Sequence, residues 1–207
     1  MEVDPVFRIL IVGSSNVGKS SIVTRYKSGK FNHGEQVTVG VNASTQTIEY
    51  GDSVRFILQI WDMAGGKDFE ASIQPYMENA QIVLFVFALN DNMSFESIPG
   101  WIKRVDETHV RHWILVGNKA DLTKSEKVVT DDDIARLKHA YDMIYYETSA
   151  LSGHNITELF QNILYTLSTK LTVECDDFNH DESIELLDEE ENGVILPRIK
   201  KKCCVVL

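Results

Sequence analysis

One stretch limits what this chain can fold into: Phe7-Arg8-Ile9-Leu10-Ile11-Val12-Gly13-Ser14-Ser15-Asn16-Val17-Gly18-Lys19-Ser20-Ser21. The short apolar run reads as a buried strand that breaks at Gly13. A helical pattern follows Gly18-Lys19-Ser20 and continues through Tyr26. The spacing Gly13-x4-Gly18-Lys19-Ser20 is that of a phosphate-binding loop. Glycine lets the backbone curl so that several N–H groups point at one anion, and the helix starting there adds its positive dipole end. Gly13, Ser15, Asn16, Val17, Gly18 and Ser21 are the candidates for that cradle. Lys19 can reach the β- and γ-phosphates, and the Ser20 hydroxyl can ligate Mg²⁺. A glycine-rich turn containing Lys-Ser by chance is the bland alternative, and the strand before it and the helix after it argue against that. The motif implies a nucleoside triphosphate without naming its base.

The chain has 207 residues, 43% hydrophobic and 25% charged, which suits one globular domain with an appendage. A domain of roughly 170 residues buries a core without staples. The net charge of -11 argues against a nucleic-acid partner. Cys175, Cys203 and Cys204 all lie outside the apparent domain, so a disulfide framework is not expected and a reducing compartment fits. The segment Met1 to Pro5 lacks the basic start and apolar run of a secretory signal, and Glu2 stands where myristoylation needs glycine. No stretch is long and apolar enough to span a bilayer.

In chain order, a first helix is expected over about Lys19 to Lys27, then a polar loop from Ser28 to Val41 that is longer than most connections. Two β-rich runs, Ala43 to Tyr50 and Val54 to Trp61, flank Gly51-Asp52-Ser53 and predict a hairpin. Val54, Phe56, Leu58 and Ile60 alternate onto one face of the second run. From there strand and helix patterns alternate. Ile82 to Leu89 is apolar on both faces, as a central parallel strand is. Phe95, Ile98, Trp101, Ile102 and Val105 follow helical spacing, although Pro99-Gly100 interrupts its first turns. Trp113 to Gly117 is another strand, Ile134, Leu137 and Tyr141 mark a helix opened by Thr130-Asp131-Asp132-Asp133, and Ile144 to Thr148 is a last strand. Ile156, Leu159, Phe160, Ile163, Leu164 and Leu167 give an amphipathic final helix. The expected fold class is α/β: a mixed six-stranded sheet with one antiparallel hairpin and helices on both faces. Ligands of such sheets sit at the carboxyl ends of the strands.

Three further motifs fall at those ends. Trp61-Asp62-Met63-Ala64-Gly65 closes the hairpin's second strand, where Asp62 can hold Mg²⁺ and Gly65 can offer its N–H to a γ-phosphate. Asn118-Lys119-Ala120-Asp121 follows the strand ending at Gly117. The Asp121 carboxylate can accept from both N1–H and the exocyclic amine of guanine, a pair of donors that adenine lacks. Asn118 can bond the purine N7, and the stem of Lys119 can lie on the ring. Thr148-Ser149-Ala150-Leu151 brings the Ala150 N–H within reach of O6. Phe31, in the long loop, can stack on the other face of the base. Each short run is common by itself, and their joint order carries the weight.

From Phe7 to Lys170 the chain resembles the Ras superfamily of small GTPases, and within it the Rab family. The Rab character lies in Val39-Gly40-Val41-Asn42-Ala43, Leu58-Gln59-Ile60-Trp61-Asp62-Met63-Ala64-Gly65, Pro75-Tyr76-Met77-Glu78-Asn79-Ala80 and Met93-Ser94-Phe95. The resemblance implies a phosphate-loop small G domain over residues 6–170 and a variable tail over 171–207. It implies GTP and GDP as ligands with Mg²⁺, held by Ser20, Asp62 and Thr38, the last as the threonine of switch I. Residues from about Gly65 to Met77 would form switch II. Lys19, Thr38 and Gly65 would carry what hydrolysis the chain performs. The chain also departs from the family. Gly66 and Lys67 replace a Gln-Glu pair whose glutamine orients the attacking water. Met63 replaces Thr, and Asn42-Ala43 replaces Asp-Phe, so the aromatic surface offered to effectors, exchange factor and activating protein reduces to Trp61 and Tyr76 beside Thr38 to Ala43.

Beyond Lys170 the composition changes: Glu174 to Glu191 carries ten acidic residues and no Lys or Arg, which reads as a disordered tail. Lys200, Lys201 and Lys202 then precede Cys203-Cys204-Val205-Val206-Leu207, which fits a geranylgeranyl site on Cys204 with a second lipid on Cys203. By resemblance, Val194-Ile195-Leu196 would engage the prenylation escort and GDI. The expected location is the cytoplasmic face of an intracellular membrane, cycling with the cytosol. Two functions compete: a slow membrane-anchored switch in vesicle traffic, and a GTP-loaded scaffold that hydrolyses nothing. An ATP-using phosphoryl transferase is disfavoured by Asp121.

Overall fold

Alternation along β1 (Val6–Val12) sets the layout. Ile9 and Ile11 enter one buried cluster and Leu10 and Val12 another, and all four are fully buried. A strand apolar on both faces is stable only inside a sheet covered on both sides. The computed structural model describes residues 4–34, 36–50, 54–66, 74–106 and 112–176. In it, β1 lies parallel between β3 (Val54–Met63) and β4 (Ile82–Ala88). β5 (His112–Asn118) and β6 (Ile144–Glu147) extend the sheet in parallel beyond β4, and β2 (Val41–Tyr50) pairs antiparallel with β3 at the other edge. The order is β2-β3-β1-β4-β5-β6, the mixed six-stranded sheet expected from the sequence.

The first face carries α1 (Lys19–Ser28) and α6 (Ile156–Asp176), which bring Ile22, Leu159, Phe160, Ile163 and Leu167 onto Ile9 and Ile11. Tyr26 stacks on Phe160 with ring centroids 3.7 Å apart. The opposite face carries Met77 from α2 (Gln74–Asn79), Ile98, Trp101, Ile102 and Val105 from α4 (Ile98–Asp106), and Ile134 from α5 (Asp131–Ala140). Burying such side chains contributes ~1.5–3 kcal/mol each, and truncating fully buried Phe85 or Phe160 to Ala costs ~3–5 kcal/mol.

In β3, Phe56, Leu58 and Ile60 are buried while Arg55 is exposed, so the alternation read from the sequence holds. It stops at the strand's end, where Asp62, Met63 and Ala64 are all buried. The helical pattern from Phe95 to Val105 is two helices, α3 (Asn92–Glu96) and α4, separated at Ser97. Pro99 falls in the first turn of α4, where its missing N–H is tolerated. Asp91 caps α3 by accepting from the Ser94 N–H at 3.2 Å, and Thr130 caps α5 by accepting from Asp133 N–H at 3.2 Å. α6 continues past the composition change at Lys170 to Asp176. One compact unit ends at Leu171 and holds both clusters; of the second, the structure describes the helical backbone of residues 172–176. The Gly51-Asp52-Ser53 turn, Lys67, Val194 to Leu196 and the cysteines Cys203 and Cys204 lie outside the described residues.

Candidate functional site

The loop between β1 and α1 needs glycine at two positions. Gly13 has φ +141°, and a Cβ there would lie 2.0 Å from the Val86 carbonyl oxygen of β4. Gly18 has φ +93°, caps α1, and a Cβ on it would lie 2.3 Å from Asn118 Nδ2. Asn16 also adopts the left-handed region at φ +63°, which its short polar side chain tolerates. The loop therefore closes tightly, and Lys19 folds back over it. Its Nζ donates to the carbonyls of Gly13 at 2.9 Å and Ser14 at 2.7 Å. Burial pulls the Lys19 ammonium down to about pKa 8, against the opposing pull of the Asp62 carboxylate. Val17 is fully buried and anchors the loop from below, while Ser15 and Asn16 face solvent.

Three oxygen-bearing side chains from separate segments meet beside this loop. The Ser20 hydroxyl donates to Asp62 Oδ2 at 2.5 Å and lies 2.7 Å from Thr38 Oγ1. Asp62 is 2% exposed. The Ala64 N–H donates to the Gly40 carbonyl at 2.8 Å, joining the end of β3 to the long loop. Gly65 presses on the phosphate loop so closely that a Cβ would lie 2.3 Å from Ser15 N. Between these segments lies an open cleft of about 160 Å³, lined by Ser15, Asn16, Gly18, Lys19, Ser20, Ser21, Gln36, Val37, Thr38 and Gly65. The first turn of α1 and the buried Lys19 cation line it, which suits a polyphosphate. The two hydroxyls and the carboxylate form an all-oxygen set that suits Mg²⁺, a hard cation.

The remaining motif residues assemble at the ends of β5 and β6. Asn118, 2% exposed, donates Nδ2 to the Val17 carbonyl at 2.8 Å. Its Oδ1 accepts from the Ala150 N–H at 3.1 Å. The donor assigned from the sequence to a purine O6 is therefore already engaged, and O6 would have to share it. The Ser149 hydroxyl donates to Asp121 Oδ1 at 2.5 Å and so aims the carboxylate. Ser149 and Ala150 are buried, Leu151 is exposed, and Lys119 sits at φ +70°. Phe31 packs partly against the first cluster and meets His33 edge-on, with centroids 4.9 Å apart.

Two contacts had no signal in the sequence. Ser14 Oγ lies 2.9 Å from Ser97 Oγ, tying the phosphate loop to the residue between α3 and α4. Arg25 donates Nε to the Ala150 carbonyl at 2.7 Å and also bonds the Leu151 carbonyl. Serine pairs and helical arginines are too common to stand out in a chain. On the outer surface, Trp61 meets Tyr76 edge-on at 5.1 Å, Asn42 and Ala43 are exposed, and Val37 and Val39 are 77% and 79% exposed.

The Ras family model matches residues 8–169. The Ras-related protein RABE1e of Arabidopsis thaliana is 30% identical, over 97% of this chain and 93% of its own length. RAB1BV of Beta vulgaris is 34% identical over 81% and 79%, and Rab-19 of Mus musculus is 32% identical over 76% and 73%. The match runs from the first strand to the last helix and takes in every loop just described. The chain belongs to the Ras superfamily of small GTPases, in its Rab branch, and is a guanine-nucleotide-binding GTPase.

Proposed function

We propose that this GTPase is a membrane-anchored switch of vesicle traffic whose intrinsic hydrolysis is slow. The observation carrying the proposal is the contrast between a complete binding site and Gly66. Lys19, Ser20, Thr38, Asp62 and Gly65 are gathered around one cleft, yet the next residue, Gly66, has no side chain to orient water. In this reading Ser20, Thr38 and Asp62 hold Mg²⁺, which, when bound, neutralises charge on the β- and γ-phosphates. The chain's own residues do the rest. Lys19 binds the phosphates, Gly65 offers its N–H to the γ-phosphate, and Asn118, Asp121, Ala150 and Phe31 hold the base.

Partners would engage Thr38 to Ala43 together with the Trp61–Tyr76 pair, whose edge-on contact keeps a firm aromatic surface. Cys203 and Cys204 would carry the lipids, with Val194 to Leu196 handling the prenylation escort and GDI. A single lipid holds a protein weakly, so the second cysteine or the lysine triplet would make attachment durable. The location that goes with this reading is the cytoplasmic face of an intracellular membrane, cycling with the cytosol.

A second reading, favoured by Gly66, is a scaffold that stays loaded with GTP. Single-turnover GTP hydrolysis, with and without candidate activating proteins, separates them. The switch predicts a slow rate that an activating protein accelerates. No turnover under either condition supports the scaffold.

A further inference from the structure

Arg25 lies on α1, and its guanidinium joins three stretches of backbone. Nε donates to the Ala150 carbonyl at 2.7 Å, Nη1 to the Gly29 carbonyl at 2.7 Å, and Nη2 to the Leu151 carbonyl. Gly29 is the left-handed cap of α1, at φ +66°, where the chain turns toward Phe31. Its N–H donates back to the Arg25 carbonyl at 2.9 Å, so this corner is held from both sides. Ala150 and Leu151 lie in the loop after β6, whose Ser149 grips Asp121 and whose Ala150 N–H faces Asn118 Oδ1.

We infer that Arg25 is a positioning residue for guanine recognition, setting the angle at which the loop after β6 presents Ala150 to the base. The inference rests on the reading of Asp121 and Ala150 as the base site. Peptide units are rigid planes. Fixing the carbonyls of both Ala150 and Leu151 sets where Ala150 stands, and the preceding plane, which carries the Ala150 N–H, is held from its other side at Asn118 Oδ1. A guanidinium suits this task because its donors diverge in one fixed plane, whereas an ammonium is a point charge on a flexible stem. The third bond, to Gly29, ties the same group to the segment leading to Phe31. Both sides of the base pocket thus share one fastening.

The test compares GDP with two analogues on the full chain, its Arg25→Ala variant and its Arg25→Lys variant. 6-Thioguanosine diphosphate keeps N1–H and the 2-amino group but puts sulfur, a poor acceptor, in place of O6. Inosine diphosphate keeps O6 and lacks the 2-amino group that Asp121 reads. Loss of hydrogen bonds made by a charged group predicts a roughly ten-fold fall in GDP affinity for Arg25→Ala. Its preference for GDP over the thio analogue should shrink, while its preference over inosine diphosphate persists. Arg25→Lys should fall short of restoring the first preference, and it carries the same comparison should the alanine variant fail to fold. Equal proportional losses for all three nucleotides would overturn the inference, since a merely structural arginine weakens them alike. A wild-type chain with no preference for GDP over inosine diphosphate would overturn the base-site reading, and this inference with it.

Discussion

Asn118 donates its side-chain amide to the Val17 carbonyl at 2.8 Å, a bond across 101 residues of chain. It fastens the loop after β5 to the floor of the phosphate loop, and its other atom, Oδ1, receives the Ala150 N–H. In the proposed function, a single carboxamide would thus link phosphate binding to base binding. Asn118→Ala leaves a buried carbonyl and a buried N–H without partners, at ~1–3 kcal/mol each. GDP release should accelerate by ten-fold or more, measured by displacement of a fluorescent nucleotide. Release at the wild-type rate would show that the two loops hold each other by other means.

Asp121→Asn should shift preference from guanine toward xanthine nucleotides. The amide offers a donor to xanthine's second carbonyl where the carboxylate accepted from guanine's amine. Ser149, which donates to Asp121 Oδ1 at 2.5 Å, can still donate to the amide oxygen and hold its plane. Competition between GDP and xanthosine diphosphate reads the result, and intact guanine selectivity would remove Asp121 from the base site.

Gly66→Gln should raise single-turnover hydrolysis. An unaided switch that has the glutamine turns over at ~10⁻⁴ s⁻¹, and the wild-type chain is expected below that. Gly65 already rests against Ser15, and Thr38 against Ser20, so the added side chain would enter a site whose other parts are in place. Equal rates for wild type and variant would mean that another residue orients the water.

Replacing Cys203 and Cys204 together by Ser should leave the protein diffuse in cells, with nucleotide affinity unchanged. Fractionation and imaging read the outcome. Persistent membrane binding would point to a protein receptor rather than lipid.

Tyr145→Phe should leave stability unchanged or raise it by about 1 kcal/mol. The Tyr145 hydroxyl is buried with no hydrogen-bond partner among the described residues, next to Gly117 and Phe87. Burial, with the nearby Glu147 and Asp131 charges adding to it, pushes the phenol upward from its ordinary 10.0. Because the folded state keeps its proton where the unfolded chain loses it, wild-type stability should fall as pH rises above about 10. The Phe variant should lack that part of the decline in thermal unfolding across the alkaline range.

Much of the fold was legible in the chain because its signals are short-ranged. The phosphate loop, the two-faced apolar strand Ile82 to Ala88, the alternation of Phe56, Leu58 and Ile60, and the Thr130 cap each involve residues within a turn or a few strand positions of one another. The break at Ser97 and the reach of α6 to Asp176 depended on packing and capping that periodicity does not encode.

The chain by itself determined which residue types are candidates for phosphate, cation and base, since a Gly-x4-Gly-Lys-Ser spacing or an Asn-Lys-Ala-Asp run is local chemistry. Only the tertiary structure decided how they meet. The parallel register of β1 with β3 sets Ile11 opposite Asp62, so the carboxylate emerges beside the phosphate loop and within 2.5 Å of Ser20. The Ser14–Ser97 and Arg25–Ala150 contacts arise the same way, from 83 and 125 residues apart. A hydrogen bond needs only a common donor and a common acceptor at about 2.9 Å, so its partners leave no mark in the sequence until the sheet brings them together.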